Sequence, residues 1–543
     1  MLLLKALVCF LSVLTVGSHS STRLTWEKNY WYENDKEALK IALREPNKNV
    51  AKNLVLAIGD GMDVDTTTAI RIYRGQLTHG LLGEEALLTW DKFPYTGLSK
   101  TYSTDMMTTD SAASSTAFNC GVKTKYEMLG VDDTVVRKDC STVEAAKVSS
   151  VLKQALEAGK SVGIITTDSV VGASPAGTYA HAAFRGWTTE VDPSSRNREL
   201  CKDIARQLVE DNLDIQVILG GGRQYFLPNY MSDPRNASSK GFRTDGKNLV
   251  EQWQTAQRAK GRKARYVTDQ AEFDAATPEN TDYLFGMFEP DRVQEETERR
   301  KTNQEPSIAE MTKKAIEILR KNEKGFYLFI EGANIDLGHH ENRARMALEE
   351  GLAFEDAVST VVNMTSTNDT LVIVSADHSH AFSFGGYSKR GSSILSVASN
   401  DYYPQNLKDR TGNRYTILAY GNGPGFQTDN QRVNLTLPEN KGYYDVDRVY
   451  QSAFPLPYDT HGGADVPLYA SGPMAHIFTG VHEQTFIANG MAYAACIGRD
   501  KSHCNPAPAT TAADTSCQGS DAPNLFPAKV LVASLAVMCW LLQ

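Results

Sequence analysis

The stretch GFYLFIEGANIDLGHHE, residues 325–341, runs through a short apolar segment into glycine, acids and two histidines. An unbroken apolar run of that length, closed by glycine, reads as a strand buried on both faces. Four further segments share the pattern: NLVLAIGDG (53–61), SVGIITTDS (161–169), DIQVILGGG (214–222) and TLVIVSADHSH (370–380). Between them lie amphipathic stretches such as EAAKVSSVLKQALEAGK (144–160) and IAEMTKKAIEILRKN (308–322), with apolar residues at three- and four-residue steps. This alternation predicts an α/β fold, a central mostly parallel sheet flanked by helices. In such folds the functional groups gather beyond the carboxyl ends of the strands.

That is where the chemistry-bearing residues fall. Asp60 ends one segment, Glu331 and Asp336 belong to a second, and Asp377 with His378 end a third. Each alone reads as a turn acid or a helix cap; together they read as a ligand set. Asp336 and His340 stand four apart, able to share one face of a helical turn. Oxygen and imidazole donors without thiolate suit Zn²⁺, and the surplus carboxylates suit Mg²⁺ or Ca²⁺. TTDSAASSTA (108–117) places Asp110 directly before Ser111. By itself it reads as a tight helix start. A serine hydroxyl needs a base or a metal to become a nucleophile, and no histidine lies near it in sequence.

The chain has 543 residues, 41% hydrophobic and 22% charged, with a net charge of −9. That is enough apolar material for a large core, and the acidic balance excludes a general nucleic-acid binder. MLLLKALVCFLSVLTVGSHS, residues 1–20, reads as a secretory signal peptide cleaved near Ser18 or Ser20. At the other end an apolar tail, residues 530–543, follows a polar spacer and the small residues Gly519, Ser520 and Ala522. This arrangement suits GPI attachment at Ser520, with 506–520 as linker and 521–543 removed; the alternative is a single C-terminal anchor helix. The expected location is the outer leaflet of the cell membrane, reached through secretion. Asn236, Asn363, Asn368 and Asn434 begin glycosylation sequons. No cysteines form a CxxC pair, and disulfides are the expected state outside the cell.

GDGM (59–62), TDSAASSTA (109–117), ASPAGTYAHAAFRGW (173–187), EGANIDLGHH (331–340), ADHSHAFSFGGY (376–387), YGNGPGF (420–426) and DTHGGADV (459–466) stand in this order along the chain. The series resembles the signature blocks of eukaryotic alkaline phosphatases, animal and GPI-anchored. The resemblance implies one catalytic domain over 21–505, with a crown-like insertion near 386–450, and a homodimer in which WYENDKEALKIALREP (31–46) reaches the partner. It implies two Zn²⁺ and one Mg²⁺ per subunit. Asp336, His340 and His461 match the ligands of one zinc, and Asp60, Asp377 and His378 those of the other. Asp60, Ser174 and Glu331 match the magnesium ligands, Ser111 the nucleophile and Arg185 the arginine that grips phosphate. A calcium site is implied at Phe288, Glu289 and Glu305, although Arg235 stands where another glutamate is expected. Cys140 is expected to pair with Cys201 and Cys496 with Cys504, leaving Cys120 reduced.

The implied activity is hydrolysis of a broad range of phosphate monoesters through a phosphoserine, with inorganic phosphate as product. Zinc lowers the pKa of a bound hydroxyl from about 15.7 to about 7 for water, about 12 kcal/mol, which supplies what the missing histidine base would. The rival reading is a surface binding protein on the same fold that has lost catalysis. Several positions depart from the family's pattern. Gly172 and Leu337 stand where histidines are frequent, and Asp63 and Asp65 where glycine and serine are usual, adding negative charge near Asp60.

Overall fold

Among the described residues fifteen strands carry the architecture: β1 Asn53–Gly59, β2 Tyr95–Lys100, β3 Ser161–Ser169, β4 Val217–Gly221, β5 Ala264–Val267, β6 Tyr283–Met287, β7 Phe326–Gly332, β8 Thr370–Ala376, β9 Ser379–His380, β10 Phe382–Phe384, β11 Leu418–Gly423, β12 Ser452–Pro455, β13 His461–Gly462, β14 Val466–Ser471 and β15 Gly480–Glu483. Ten of them form one sheet in the order β15-β2-β14-β8-β1-β7-β3-β4-β6-β5. Within it β14 alone runs antiparallel to its neighbours; all other pairings are parallel. The computed structural model describes residues 28–78, 81–191, 194–402, 407–409, 412–428 and 445–504. Met1–Lys501 make up one unit and Ser502–Gln543 a second, described only at 502–504. The signal segment, Asn434, Ser520, the linker and the apolar tail lie outside the described residues.

The central strands are apolar throughout because both faces are covered. In β1, Leu54, Leu56 and Ile58 enter one core and Val55 and Ala57 the other. In β8, Leu371 and Ile373 likewise separate from Val372 and Val374. A strand's period of two sends alternate side chains to opposite faces, so a run without polar residues marks a sheet sandwiched between helices. Helices Ile308–Leu319 and Ala344–Met364 cover one face; Ser111–Cys120 and Thr485–Ala494 cover the other.

The stretch 144–160 departs from a single amphipathic helix. It forms Val143–Ala146 and then Val151–Glu157, because Ser150 accepts the Lys153 N–H at 3.2 Å and so caps a new start. Residues 386–450, expected to form an insertion, are described only in part and belong to the first unit; β11 lies among them and forms a three-stranded sheet with β10 and β12, which lie on either side of that range in sequence. Cys140 and Cys201 are joined as a disulfide across a Cα–Cα distance of 5.6 Å, and Cys120 is a buried free thiol. Asn236, Asn363 and Asn368 are exposed.

One buried acid makes a pH prediction. Glu350 accepts the Glu296 N–H at 2.6 Å, and burial pushes its carboxyl from 4.5 up to about 8. The folded state therefore holds a proton that the unfolded state releases above about 4.5. The stability this contributes is full below that pH and is lost as pH rises through about 8. Glu350→Gln keeps an acceptor and is expected to flatten the fall of Tm across that window in calorimetry; an unchanged slope would count against this assignment.

Candidate active site

Four neighbouring parallel strands, β8, β1, β7 and β3, end side by side, and their carboxyl ends deliver the acids. Asp60 follows β1, Asp377 and His378 follow β8, and Glu331 lies in β7 in register with Ile58 and Thr166. Helix Asn334–His340 carries Asp336 and His340 on one face, as their spacing requires, with His340 Nε2 3.2 Å from Asp336 Oδ2. His461 arrives on β13, where a pairing with β9 sets it opposite His380.

Two clusters result: Asp336, His340, His380 and His461, and Asp60, Asp377 and His378. Within each, the donor atoms lie inside 4.8 Å of one another. His461 Nε2 is 3.3 Å from His340 Nε2 and 3.6 Å from Asp336 Oδ1. His378 Nε2 is 3.0 Å from Asp377 Oδ2 and 3.4 Å from Asp60 Oδ1. The clusters adjoin, since the rings of His378 and His461 stack at 3.5 Å. His340 Nδ1 donates to the Asp459 carbonyl at 2.6 Å and His461 Nδ1 to the Thr109 carbonyl at 2.9 Å. Those bonds fix the tautomer and leave each Nε2 a lone pair facing the cluster.

The set of buried atoms without partners fits cations. Asp60 Oδ1 and Ser174 Oγ are buried and make no hydrogen bond among the described residues. Burial, reinforced by Asp377, Asp336 and Glu331, pushes the Asp60 carboxyl well up. Burial and then Asp168 push Glu331 up to about 8. Burial also works against ionisation of Asp336, but His340 and His380 outweigh it and hold that carboxyl well below its usual range. Bare carboxylates this crowded cannot all ionise; divalent cations among them remove the conflict.

Ser111 opens helix Ser111–Cys120. Its Oγ lies 3.3 Å from His378 Nε2, so the serine stands against the second cluster. Asp110 caps the helix by accepting the Ala113 N–H at 3.2 Å. Its other oxygen accepts from Arg185 Nη1 at 3.0 Å, which holds the guanidinium beside the serine. A helix N-terminus, a guanidinium and a ligand cluster able to hold a cation, all at one hydroxyl, make a site for an anion.

His380, Thr166 and Asp459 have no role in the sequence reading and Asp110 only that of a helix start, yet each supports the site. His380 bonds Asp336 Oδ1 at 2.5 Å and Asp459 Oδ2 at 2.9 Å. Burial opposes its charge, but these two carboxylates raise its pKa to about 9. Its signal is position: His378 and His380 are two apart, hence on one side of an extended chain. Gly61, at φ +68°, must lack a side chain, because a Cβ there would stand 2.5 Å from the His380 ring. Thr166 Oγ1 donates to Glu331 Oε2 at 2.5 Å.

Asp63, which the sequence places near Asp60, has a local task as well. It acts as the N-cap of helix Val64–Leu77, accepting the Thr66 N–H at 2.8 Å, and burial pushes its carboxyl up to about 6. Leu337 lines a cavity of about 720 Å³ beside the first cluster, with His340, Pro424, Val449 and Tyr458 and the charged Glu341 and Arg343. Away from the centre, Gln294 brings Glu289 and Glu305 together. Its N–H donates to Glu305 Oε1 at 2.6 Å and its amide to Glu289 Oε1 at 2.8 Å. Glu305 Oε2 is buried without a partner, and burial pushes this acid up to about 8. Arg235 pairs instead with Asp269 at 2.8 Å.

An open sheet with carboxylate and imidazole clusters at its carboxyl edge, and a serine against one of them, defines a metal-dependent hydrolase of anionic esters. The alkaline phosphatase family model matches residues 51–497. The tissue-nonspecific alkaline phosphatase of Homo sapiens is 43% identical over 506 residues, 91% of this chain and 94% of that protein. An alkaline phosphatase of Gadus morhua is 43% identical over 482 residues, 88% of this chain and 98% of its own. Among solved structures, the Thermus thermophilus alkaline phosphatase shares the fold at a TM-score of 0.58 and 23% identity, covering 84% of this chain and 94% of that one. The chain belongs to the alkaline phosphatase family, and is a metal-dependent phosphomonoesterase.

Proposed function

We propose that Ser111 is the nucleophile that takes the phosphoryl group from a monoester. The observation that carries this reading is the meeting of its Oγ with His378 Nε2 at 3.3 Å, on a helix N-terminus with Arg185 alongside. Asp336, His340 and His461 would hold one Zn²⁺, Asp60, Asp377 and His378 the other, and Asp60, Ser174 and Glu331 an Mg²⁺. When bound, these ions lower the pKa of the serine hydroxyl and offset the charge of the phosphate. Ser111 Oγ forms a bond to phosphorus as the ester oxygen leaves in line; water then cleaves the phosphoserine, so two displacements retain configuration. Arg185 Nη1 stays anchored on Asp110 while the rest of its fork meets equatorial phosphate oxygens. Asp110 thus fixes the distance between nucleophile and clamp. These contacts address the phosphoryl group, which supports broad monoester specificity.

The same reading makes the protein a GPI-anchored, extracellular homodimer. Leu39, 60% exposed in helix Lys28–Ala42, and Leu43, 80% exposed just beyond it, are what a partner-facing segment would present. Cys496 and Cys504 would form the second disulfide. Phe288, Glu289 and Glu305 would hold Ca²⁺ with one carboxylate fewer, where Arg235 stands. Membranes bearing the protein are expected to hydrolyse p-nitrophenyl phosphate but not its bis-ester, and phosphatidylinositol-specific phospholipase C to release that activity. Preference for the diester would overturn the monoesterase reading, and retention of activity in the membrane would overturn the anchor.

A further inference from the structure

Gly172 leaves a space, and the structure shows what fills it. A Cβ at Gly172 would stand 2.3 Å from Asp168 Oδ2, so the Asp168 carboxylate occupies the volume that a side chain at 172 would use. The register of β3 against β4 shifts between Ile165 and Ser169, an irregularity that re-aims the residues at this strand's end. Asp168 is tied to the acid cluster through the backbone: its N–H donates to Thr166 Oγ1 at 2.8 Å, and Thr166 Oγ1 donates onward to Glu331.

Across from Asp168 stands Arg292, its Nε 3.3 Å from Asp168 Oδ1. The loop that carries it is pinned over the ends of β3 and β7. The Val293 N–H donates to the Thr167 carbonyl at 3.2 Å, and Asn334 Nδ2 donates to the Val293 carbonyl at 3.5 Å. The two terminal nitrogens of Arg292 make no hydrogen bond among the described residues, and the side chain is 35% exposed. Arg185 is built the same way: one edge on a carboxylate, the side chain 35% exposed. Asp168, then Asp336 and Asp60, hold the Arg292 proton more firmly, and Asp60 and Asp168 act on Arg185 as well. Both cations therefore stand in the field of the same acids.

We propose that Arg292, steered by Asp168 in the space left by Gly172, is a second guanidinium of the phosphate site and binds the phosphoryl oxygens opposite Arg185. Asp168 is its positioning residue and its counter-charge. The frequent histidine at 172 is dispensable in this chain because this pair takes its place. The inference rests on the phosphomonoesterase reading of the site. It makes two predictions of opposite sign, which a merely structural ion pair does not, since breaking such a pair from either side does the same harm.

The test is binding of inorganic phosphate to the zinc- and magnesium-loaded enzyme, measured by titration calorimetry. Arg292→Gln is expected to weaken phosphate on the order of tenfold, the loss of one charge-assisted contact, with Arg292→Lys between it and the wild type. Asp168→Asn, which keeps an oxygen toward the guanidinium but removes its counter-charge, is expected to bind phosphate several-fold more tightly than the wild type. Metal content and Tm measured on every variant separate loss of fold from loss of binding, and Arg292→Lys serves where Arg292→Gln does not fold. Phosphate affinity of Arg292→Gln within twofold of the wild type overturns the proposal. So does an equal loss in Asp168→Asn. Failure of the wild type itself to bind phosphate would instead remove the phosphomonoesterase reading on which it stands.

Discussion

Ser111→Ala loses turnover by on the order of 10³-fold or more, because it removes the atom that forms the bond to phosphorus. Asp60, Asp377 and His378 remain, so the variant is expected to bind metal and to fold. Incubation of the wild type with labelled phosphate at mildly acidic pH should trap a phosphoserine in the peptide TTDSAASSTA, residues 108–117, and the variant should carry none. Some hydrolysis persists, since metals and Arg185 still hold and polarise the ester. The structure chooses the control. Ser114 Oγ lies 3.5 Å from Asp377 Oδ2, too near the second cluster to be neutral, whereas Ser115 Oγ is taken up by the backbone carbonyl of Ser174, to which it donates at 3.2 Å. Ser115→Ala should keep the label. Label on Ser115, or unchanged turnover in Ser111→Ala, would return Ser111 to the role of a helix start.

Removal of metal has the second large effect. A chelator is expected to bring hydrolysis of p-nitrophenyl phosphate to background, and Zn²⁺ with Mg²⁺ to restore it. The acids give this a readout apart from activity. Without cations, burial and mutual repulsion push Asp60 well up and Glu331 up to about 8, above neutral pH. With cations bound, those carboxylates must be ionised. Metal removal at pH 7 therefore takes protons up from solution and reloading releases them, a change that a weakly buffered titration records. Full activity with metal at background by elemental analysis would refute the ligand assignment.

The sheet was legible in the sequence because burial on both faces writes itself as uninterrupted apolar runs, and the acids were legible because they break those runs at one end. Asp336 and His340 could be paired from helical spacing alone. His461 could not: DTHGG reads as an ordinary turn, and only the pairing of β13 with β9 brings it to residues more than a hundred positions earlier. His380 was visible but unassigned, since its role rests on Asp459, whose place depends on the same pairing. The interruption at 147–150 was missed because the apolar periodicity runs through it, while a single serine cap decides against a continuous helix. Asp63 reads in sequence as charge near Asp60, and its capping bond to Thr66 is a second role that the sequence reading leaves out.

The fold gathers the proposed ligands from as far apart as Asp60 and His461, and on that assignment this spread fixes when in the life of the chain the enzyme can begin to work. A polypeptide still emerging during synthesis possesses the serine, the clamp arginine and most of the acids long before His461 is made. On the ligand assignment above, the first cluster stays open until that residue arrives and β13 pairs. Hydrolysis is thereby withheld from incomplete chains, and no separate inhibitory segment is needed to keep a half-made phosphatase silent.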